Sequence, residues 1–378
     1  MKRIFKLSLL AAATLPLLSW IVSCTGKQED EPVTENLKVI LSSNVIQANG
    51  IDEVTFSVEY EGIDVTSESV IYSAEDGSEA DLPDMKFSTE TPGSYSFYAV
   101  YNSMKSETVT LSALESTMPE IPEDPQPEST DFFRRALVIQ FTGVGCSFCP
   151  SSDAAFERLS ENYGNNYVLV ACHSRENTDP AWYGGPLKNV LETDDITPFV
   201  NVDMDNALSH SGGTDASGLN ALTSEYRFLV ASAIEQRPAK AGIAATTAYS
   251  ADNVIVTMSL KVAETAEYKV GAWLLEDDIF GSQLNGTGIS GNFDMHDNCL
   301  RYADYTGQGS RADYTGVSLG TVNAGETAEY TFVIKTESGW NIENCHLALF
   351  VSAEEDGHFY VNNAVSCGIG DTVAYEYN

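Results

Sequence analysis

The sequence predicts a multidomain chain of α/β plus all-β type, and three observations carry that expectation. Short runs at both ends of the chain alternate apolar and polar residues, the period of strands with one buried face. Between them, near-continuous apolar runs are interleaved with helical spacing, as in strands covered on both faces. Four prolines with acidic residues between them, from Ser116 to Thr130, separate the first all-β stretch from the rest. At 378 residues the chain is too long for one core and suggests two to four domains.

Residues 1–23 read as a signal peptide. Lys2, Arg3 and Lys6 form a positive leader, Leu7 to Trp20 is an apolar core too short to be read as a membrane span, and Ile21-Val22-Ser23-Cys24 follows. That tetrapeptide resembles the bacterial lipobox, which implies a diacylated Cys24 and attachment to a membrane through lipid chains. Residues 24–36 are then the lipidated cysteine and a polar tether. Lys27 followed by Glu29, Asp30 and Glu31 resembles the surface-export signal of Bacteroidetes lipoproteins, so an outer-membrane lipoprotein is expected, on the periplasmic face or the cell surface.

Over 37–114, Val54, Phe56, Val58 and Tyr60 alternate with polar residues, and Tyr95, Phe97, Ala99 and Tyr101 repeat the pattern after Pro92-Gly93. Several short strands punctuated by Asn-Gly, Asp-Gly and Pro-Gly fit an immunoglobulin-like β-sandwich. With no Cys or His, it is expected to act as a spacer or a binding module. Residues 115–131 are expected to be an extended Pro/acidic linker.

The central segment, 132–240, carries the chemistry. The apolar run Ala136 to Phe141 leads through Thr-Gly-Val-Gly to Cys146-Ser-Phe-Cys149-Pro150, and Ser152, Phe156, Leu159 and Tyr163 then share one helical face. Cys146 is thereby expected just off a helix N-terminus, where unpaired N–H groups and the helix dipole favour a thiolate. It is assigned as the attacking sulfur, open to visiting peptides, with Cys149 resolving. Zinc would need two more ligands, and no second close cysteine pair occurs. Tyr167 to His173 is a second covered strand, placing His173 where it could polarise Cys146 or act as a base. A short helix at Pro186 to Leu191, a strand from Ile196 to Asp203 and a helix from Ala216 to Glu235 complete a layer expected to be rich in parallel strands.

This segment resembles the thioredoxin superfamily. Thr197-Pro198 opens a strand where that superfamily carries a cis-proline against its disulfide, which implies that Pro198 shapes a peptide-binding edge. Two positions depart from the pattern: Gly145 stands where Trp often precedes the first cysteine, and Gln140 stands where a buried acid often accepts the resolving thiol's proton.

Residues 241–378 return to alternation, with Val254 to Val262, Tyr268 to Leu274 and Tyr330 to Ile334 as three strands of a C-terminal β-sandwich. A long polar connection, Glu276 to Gly316, contains the repeat Ala303-Asp-Tyr-Thr-Gly307 and Ala312-Asp-Tyr-Thr-Gly316. A three-residue turn at Glu355-Asp356-Gly357 would set Cys345 opposite Cys367, predicting a structural disulfide and leaving Cys299 no obvious partner except Cys172 or one of these two by exchange.

A formal net charge of −35 speaks against nucleic acid as a partner. No Gly-rich phosphate loop follows a strand and no Cys-x-x-Cys-His occurs, so no cofactor is expected. Phe141-Thr-Gly143 with Cys146-Ser-Phe-Cys149-Pro150, together with His296-Asp-Asn-Cys299-Leu-Arg301, resembles the outer membrane protein 28-related lipoproteins of Bacteroidetes. That resemblance covers Phe132 onward and implies a thioredoxin-like domain joined to a β-sandwich. The expected function is thiol–disulfide exchange on cysteine-containing polypeptides. The alternative is a surface-displayed binding or adhesion lipoprotein with a non-catalytic scaffold.

Overall fold

The computed structural model describes residues 36–115, 120–191, 196–250 and 252–378, so the signal peptide and Cys24 lie outside the described residues. Strands dominate, helices are few, and several sheets are present. The chain divides into two compact units, one comprising Ser57–Ala80 and Phe97–Val109 with the described residues up to Ile40, the other Leu41–Phe56, Asp81–Ser96 and Thr110–Asn378. In the smaller unit Val70–Ser73 pairs antiparallel with the second half of Gly93–Tyr101.

In the larger unit, β1 (Ala136–Thr142) is buried along its whole length, as its unbroken apolar run requires. Leu137, Ile139 and Phe141 face one core, with Val168, Val170, Trp273 and Phe350. Ala136 and Val138 face the other, beneath α1 (Cys149–Tyr163) and α2 (Leu219–Gln236), where Phe156, Leu159, Leu222, Tyr226 and Leu229 meet them. β2 (Tyr167–His173) lies parallel to β1, as α/β chemistry demands of a strand reached through a helix. β3 (Phe199–Val202) is antiparallel to β1 and continues into β4 (Asp205–Ser211), so the layer is mixed and not the parallel-rich one expected. The helix expected at Pro186 to Leu191 is a single turn, Leu187–Val190.

The other strands of the two large sheets are β5 (Ala241–Ser250), β6 (Asn253–Val262), β7 (Ala266–Glu276), β8 (Cys299–Tyr302), β9 (Val317–Val322), β10 (Thr327–Lys335), β11 (Cys345–Glu355), β12 (His358–Gly368) and β13 (Thr372–Val373). One nine-stranded sheet runs β4-β3-β1-β2-β8-β7-β11-β12, with β9 also paired to β7. It packs against the sheet β10-β6-β5-β13 through Val254, Val256, Met258, Leu260, Leu274, Leu347, Leu349 and Val351. The segments on either side of residue 240 therefore share a sheet: β8, out of the long polar connection, pairs with β2 at Ala171 and with β7 beyond it.

Two changes of register overturn the Cys345–Cys367 disulfide. The turn holds two residues, Asp356 and Gly357, both with positive φ, so Glu355 pairs with His358. A bulge then inserts Asn362, because Ser352 pairs with Val361 and Val351 with Asn363. Each moves the pairing by one residue, so Leu347 stands opposite Cys367 and both cysteines are buried free thiols. Burial pushes them up, Cys345 to about 12 and Cys367 to about 11. The bulge serves packing: Asn362 accepts from Lys240 N–H at 2.7 Å and donates to Pro238 at 3.1 Å.

The proline-rich linker is anchored over its described part. Lys261 on β6 holds the Asp124 carboxylate at 2.8 Å and the Pro127 carbonyl at 2.6 Å, and Tyr377 donates to Asp124 at 2.8 Å.

Candidate functional site

Cys146 and Cys149 form a disulfide with a Cα separation of 5.4 Å. Cys149 is the first residue of α1, and Pro150 occupies the second position, where no intrahelical N–H bond is lost. β1 delivers the loop, and two neighbours flank the strand's end. His173 on β2 pairs with Thr142 on one side. On the other, Phe141 pairs with Phe199, the residue after Pro198, and the Thr197–Pro198 peptide is cis. The topology thus brings Cys146, Cys149, His173 and Pro198 to one end of the sheet.

The expectation that Cys146 is open is not met: it is 3% exposed and Cys149 is 0% exposed. A strap from the long connection lies over the cysteine loop. Leu284 N–H donates to Val144 O at 2.9 Å, Gly286 N–H to Ser147 O at 2.7 Å, and the Gln283 side chain to Cys146 O at 2.8 Å. On the other flank a Cβ at Gly145 would stand 2.2 Å from Glu176 Oε1, so this carboxylate occupies the place a larger residue would need. Its negative charge works against the helix N-terminus in stabilising a thiolate. Sequence reasoning missed the strap because two of its three bonds come from the backbone, all reach a loop more than a hundred residues away, and they leave no periodicity.

His173 reaches the loop through a carboxylate. Its Nδ1 lies 2.9 Å from Asp179 Oδ2, which also accepts Val144 N–H at 2.9 Å. Burial would raise the Asp179 carboxyl, but bonds from His173, Val144 and Ala181 outweigh it and hold the group below the ordinary value. The His173 ring meets His296 edge-on at 4.8 Å between centroids. Burial, then the neighbouring His173, lowers the pKa of His296, although its bond to Gly281 O opposes the shift.

Gln140 stands beside a carboxyl from another element. Gln140 donates to Asp153 Oδ1 at 2.6 Å, and Asp153 lies one helical turn beyond Cys149 on the same face of α1. Both line a cavity of about 980 Å³ with Thr142, His173 and His296. Burial pushes the Asp153 carboxyl up to about 6, against the bond from Gln140 and the charge of His296. A Gln at position 140 was the only sequence signal, and read alone it gave no hint of the Asp153 carboxyl bonded to it.

Because the folded pKa of Asp153 lies above the unfolded value, its contribution is most favourable below the unfolded pKa and is lost as pH rises through about 6. Asp153→Asn, which can still accept from Gln140, is expected to raise stability by about 1–3 kcal/mol at pH 8 and by little at pH 4. Denaturant unfolding at the two pH values checks this; an equal effect at both would contradict it.

Cys172 and Cys299 do not bridge. Cys299 pairs with Ala171, so the side chain of Cys172 leaves the opposite face of the sheet. Burial raises both thiols well above the ordinary value. Among the described residues, no cluster of His, Cys, Asp and Glu could hold a metal ion.

No family model and no curated protein matches this chain. Among solved structures it is similar to HBP35 of Porphyromonas gingivalis, at 15% identity over 64% of this chain and 77% of that one, with a TM-score of 0.45. A protein from Agrobacterium tumefaciens aligns at 12% identity over 64% and 97%, TM-score 0.40. A domain of the outer membrane lipoprotein Omp28 from Porphyromonas gingivalis aligns at 21% identity over 35% and 90%, TM-score 0.21.

Proposed function

We propose that this chain is a cell-envelope lipoprotein, anchored through Cys24, whose thioredoxin-like segment exchanges disulfides with cysteine-containing polypeptides once the strap over Cys146 is displaced. The observation that carries the reading is the grouping at one end of β1: a disulfide at the start of a helix, a cis-proline beside it, and a carboxyl of raised pKa one turn beyond Cys149. A disulfide serving only as a tie requires none of the other parts.

In the oxidising direction, a substrate thiolate attacks Cys146 Sγ, the Cys146–Cys149 bond breaks, and Cys149 leaves as a thiolate that takes a proton from the Asp153 carboxyl. A second substrate thiol loses its proton to water, its thiolate attacks the substrate sulfur of the mixed disulfide, the bond from that sulfur to Cys146 breaks, and Cys146 leaves as a thiolate. The substrate is oxidised to a disulfide and the cysteine pair is reduced. The reducing direction reverses these steps, with Asp153 accepting the proton.

The burial of Cys146 favours a second reading, in which the disulfide is fixed architecture and the protein is a binding or adhesion lipoprotein. Insulin reduction and disulfide isomerisation by the full mature protein separate the two. Activity lost in Cys146→Ser supports exchange, whereas a variant as active as the wild type, or a bridge that resists millimolar dithiothreitol, gives precedence to the binding reading.

A further inference from the structure

Beyond Arg175 and Glu176, which flank the cysteine loop, two large aromatic rings are held half-exposed at one concave site. Trp182 is 43% exposed and Tyr305 is 44% exposed, and both line a cavity of about 500 Å³. Each is backed by the fold, Trp182 through its backbone and Tyr305 through its ring. Trp182 N–H donates to Asp179 O at 3.0 Å, its backbone bridges to His173, and its ring covers Gly184, where a Cβ would stand 2.7 Å from the indole. Only glycine admits the ring there. Tyr305 stacks on Tyr314 at 4.8 Å and 28°, and the Tyr314 hydroxyl lies 3.3 Å from that of Tyr183.

This stacking explains the Ala-Asp-Tyr-Thr-Gly repeat. Its two copies meet through the Thr306–Asp313 bridge, and their tyrosines take different tasks. Tyr314 is 1% exposed and supports; Tyr305 is presented to solvent.

Around the rings stand Arg175, Glu176, Asn177, Asn189 and Gln308, a rim of planar donors and acceptors. Rigid rings with an apolar face, ringed by amide, guanidinium and carboxylate groups, match one ligand chemistry. A pyranose offers C–H faces for the rings and a girdle of hydroxyls that each donate and accept. We propose that this cavity is a glycan-binding site, with Trp182 and Tyr305 as stacking platforms. The inference stands apart from the exchange chemistry.

The test is calorimetry of the full mature protein against soluble oligosaccharides of glucose, mannose, galactose and N-acetylglucosamine. Saturable binding of at least one is expected, weakened about tenfold or more by Trp182→Ala and by Tyr305→Ala and largely kept by Trp182→Phe. Binding should also shift the fluorescence of the wild type but not of Trp182→Phe, since Trp182 lines the cavity and neither Trp273 nor Trp340 does. Far-UV circular dichroism and thermal unfolding of the variants establish that they are folded. Absence of binding by every sugar at about 10 mM, sugar binding that survives both alanine variants, or binding of a proline-rich peptide but of no sugar would overturn the proposal.

Discussion

Asp203→Ala is expected to lower the unfolding free energy by about 3–5 kcal/mol. Asp203 is 0% exposed, begins the link from β3 to β4, and accepts Leu137 N–H at 2.8 Å while paired with the buried Arg134 guanidinium. Arg134 also donates to the carbonyls of Arg237 and Val361, at 3.2 and 3.4 Å, so this pair joins β1, β3, the end of α2 and β12. Removing the carboxylate strands a guanidinium where water cannot reach it and leaves an N–H of β1 unpaired. Urea denaturation of the variant measures the loss; a change under about 1 kcal/mol would contradict a buried, coupled pair. The double variant Arg134→Met with Asp203→Leu should regain much of the loss, because neither charge is then left alone.

The second large effect concerns the strap. Gln283→Ala with Leu284→Pro removes the bond to Cys146 O and the donor to Val144 O, and Leu284 is exposed, so little packing goes with them. At about 1 kcal/mol for each bond, the strap opens roughly 10–100 times more often. Reduction of the native disulfide by dithiothreitol should accelerate by that factor, read by alkylating the freed thiols and weighing the protein. An unchanged rate would mean that something other than the strap limits access to Cys146.

Where burial and periodicity agree, the fold was legible from residues alone. The run Ala136 to Phe141 could only be a strand covered on both faces, and the spacing of Ser152, Phe156 and Leu159 could only face one helix side. β4 was missed because an edge strand reading Asp-Asn-Ala-Leu-Ser-His-Ser buries Leu208 alone. The paired cysteines of the last hairpin were misplaced because a bulge at Asn362 is a tertiary device, set by Pro238 and Lys240 from across the core. At the candidate site, the cysteines and His173 could be named because their spacing follows the strand–helix order, and Pro198 because Thr197-Pro198 resembles the thioredoxin superfamily's cis-proline position. Asp153 could not, since only the folded chain brings an α1 carboxyl to the Gln140 amide. Nor could the strap, which holds the loop through the backbones of Leu284 and Gly286 and one Gln283 amide, none of which leaves a periodic pattern.

The most direct measurement is covalent capture of a partner at Cys146. In Cys149→Ser the resolving sulfur is gone, so a polypeptide joined to Cys146 has no intramolecular route of release. Expressed in its native envelope, this variant should accumulate mixed disulfides that vanish on reduction and that are absent when Cys146 is also replaced by Ser. Loss of the bond without any such adduct, even when the strap is weakened by Gln283→Ala with Leu284→Pro, would contradict exchange at this disulfide.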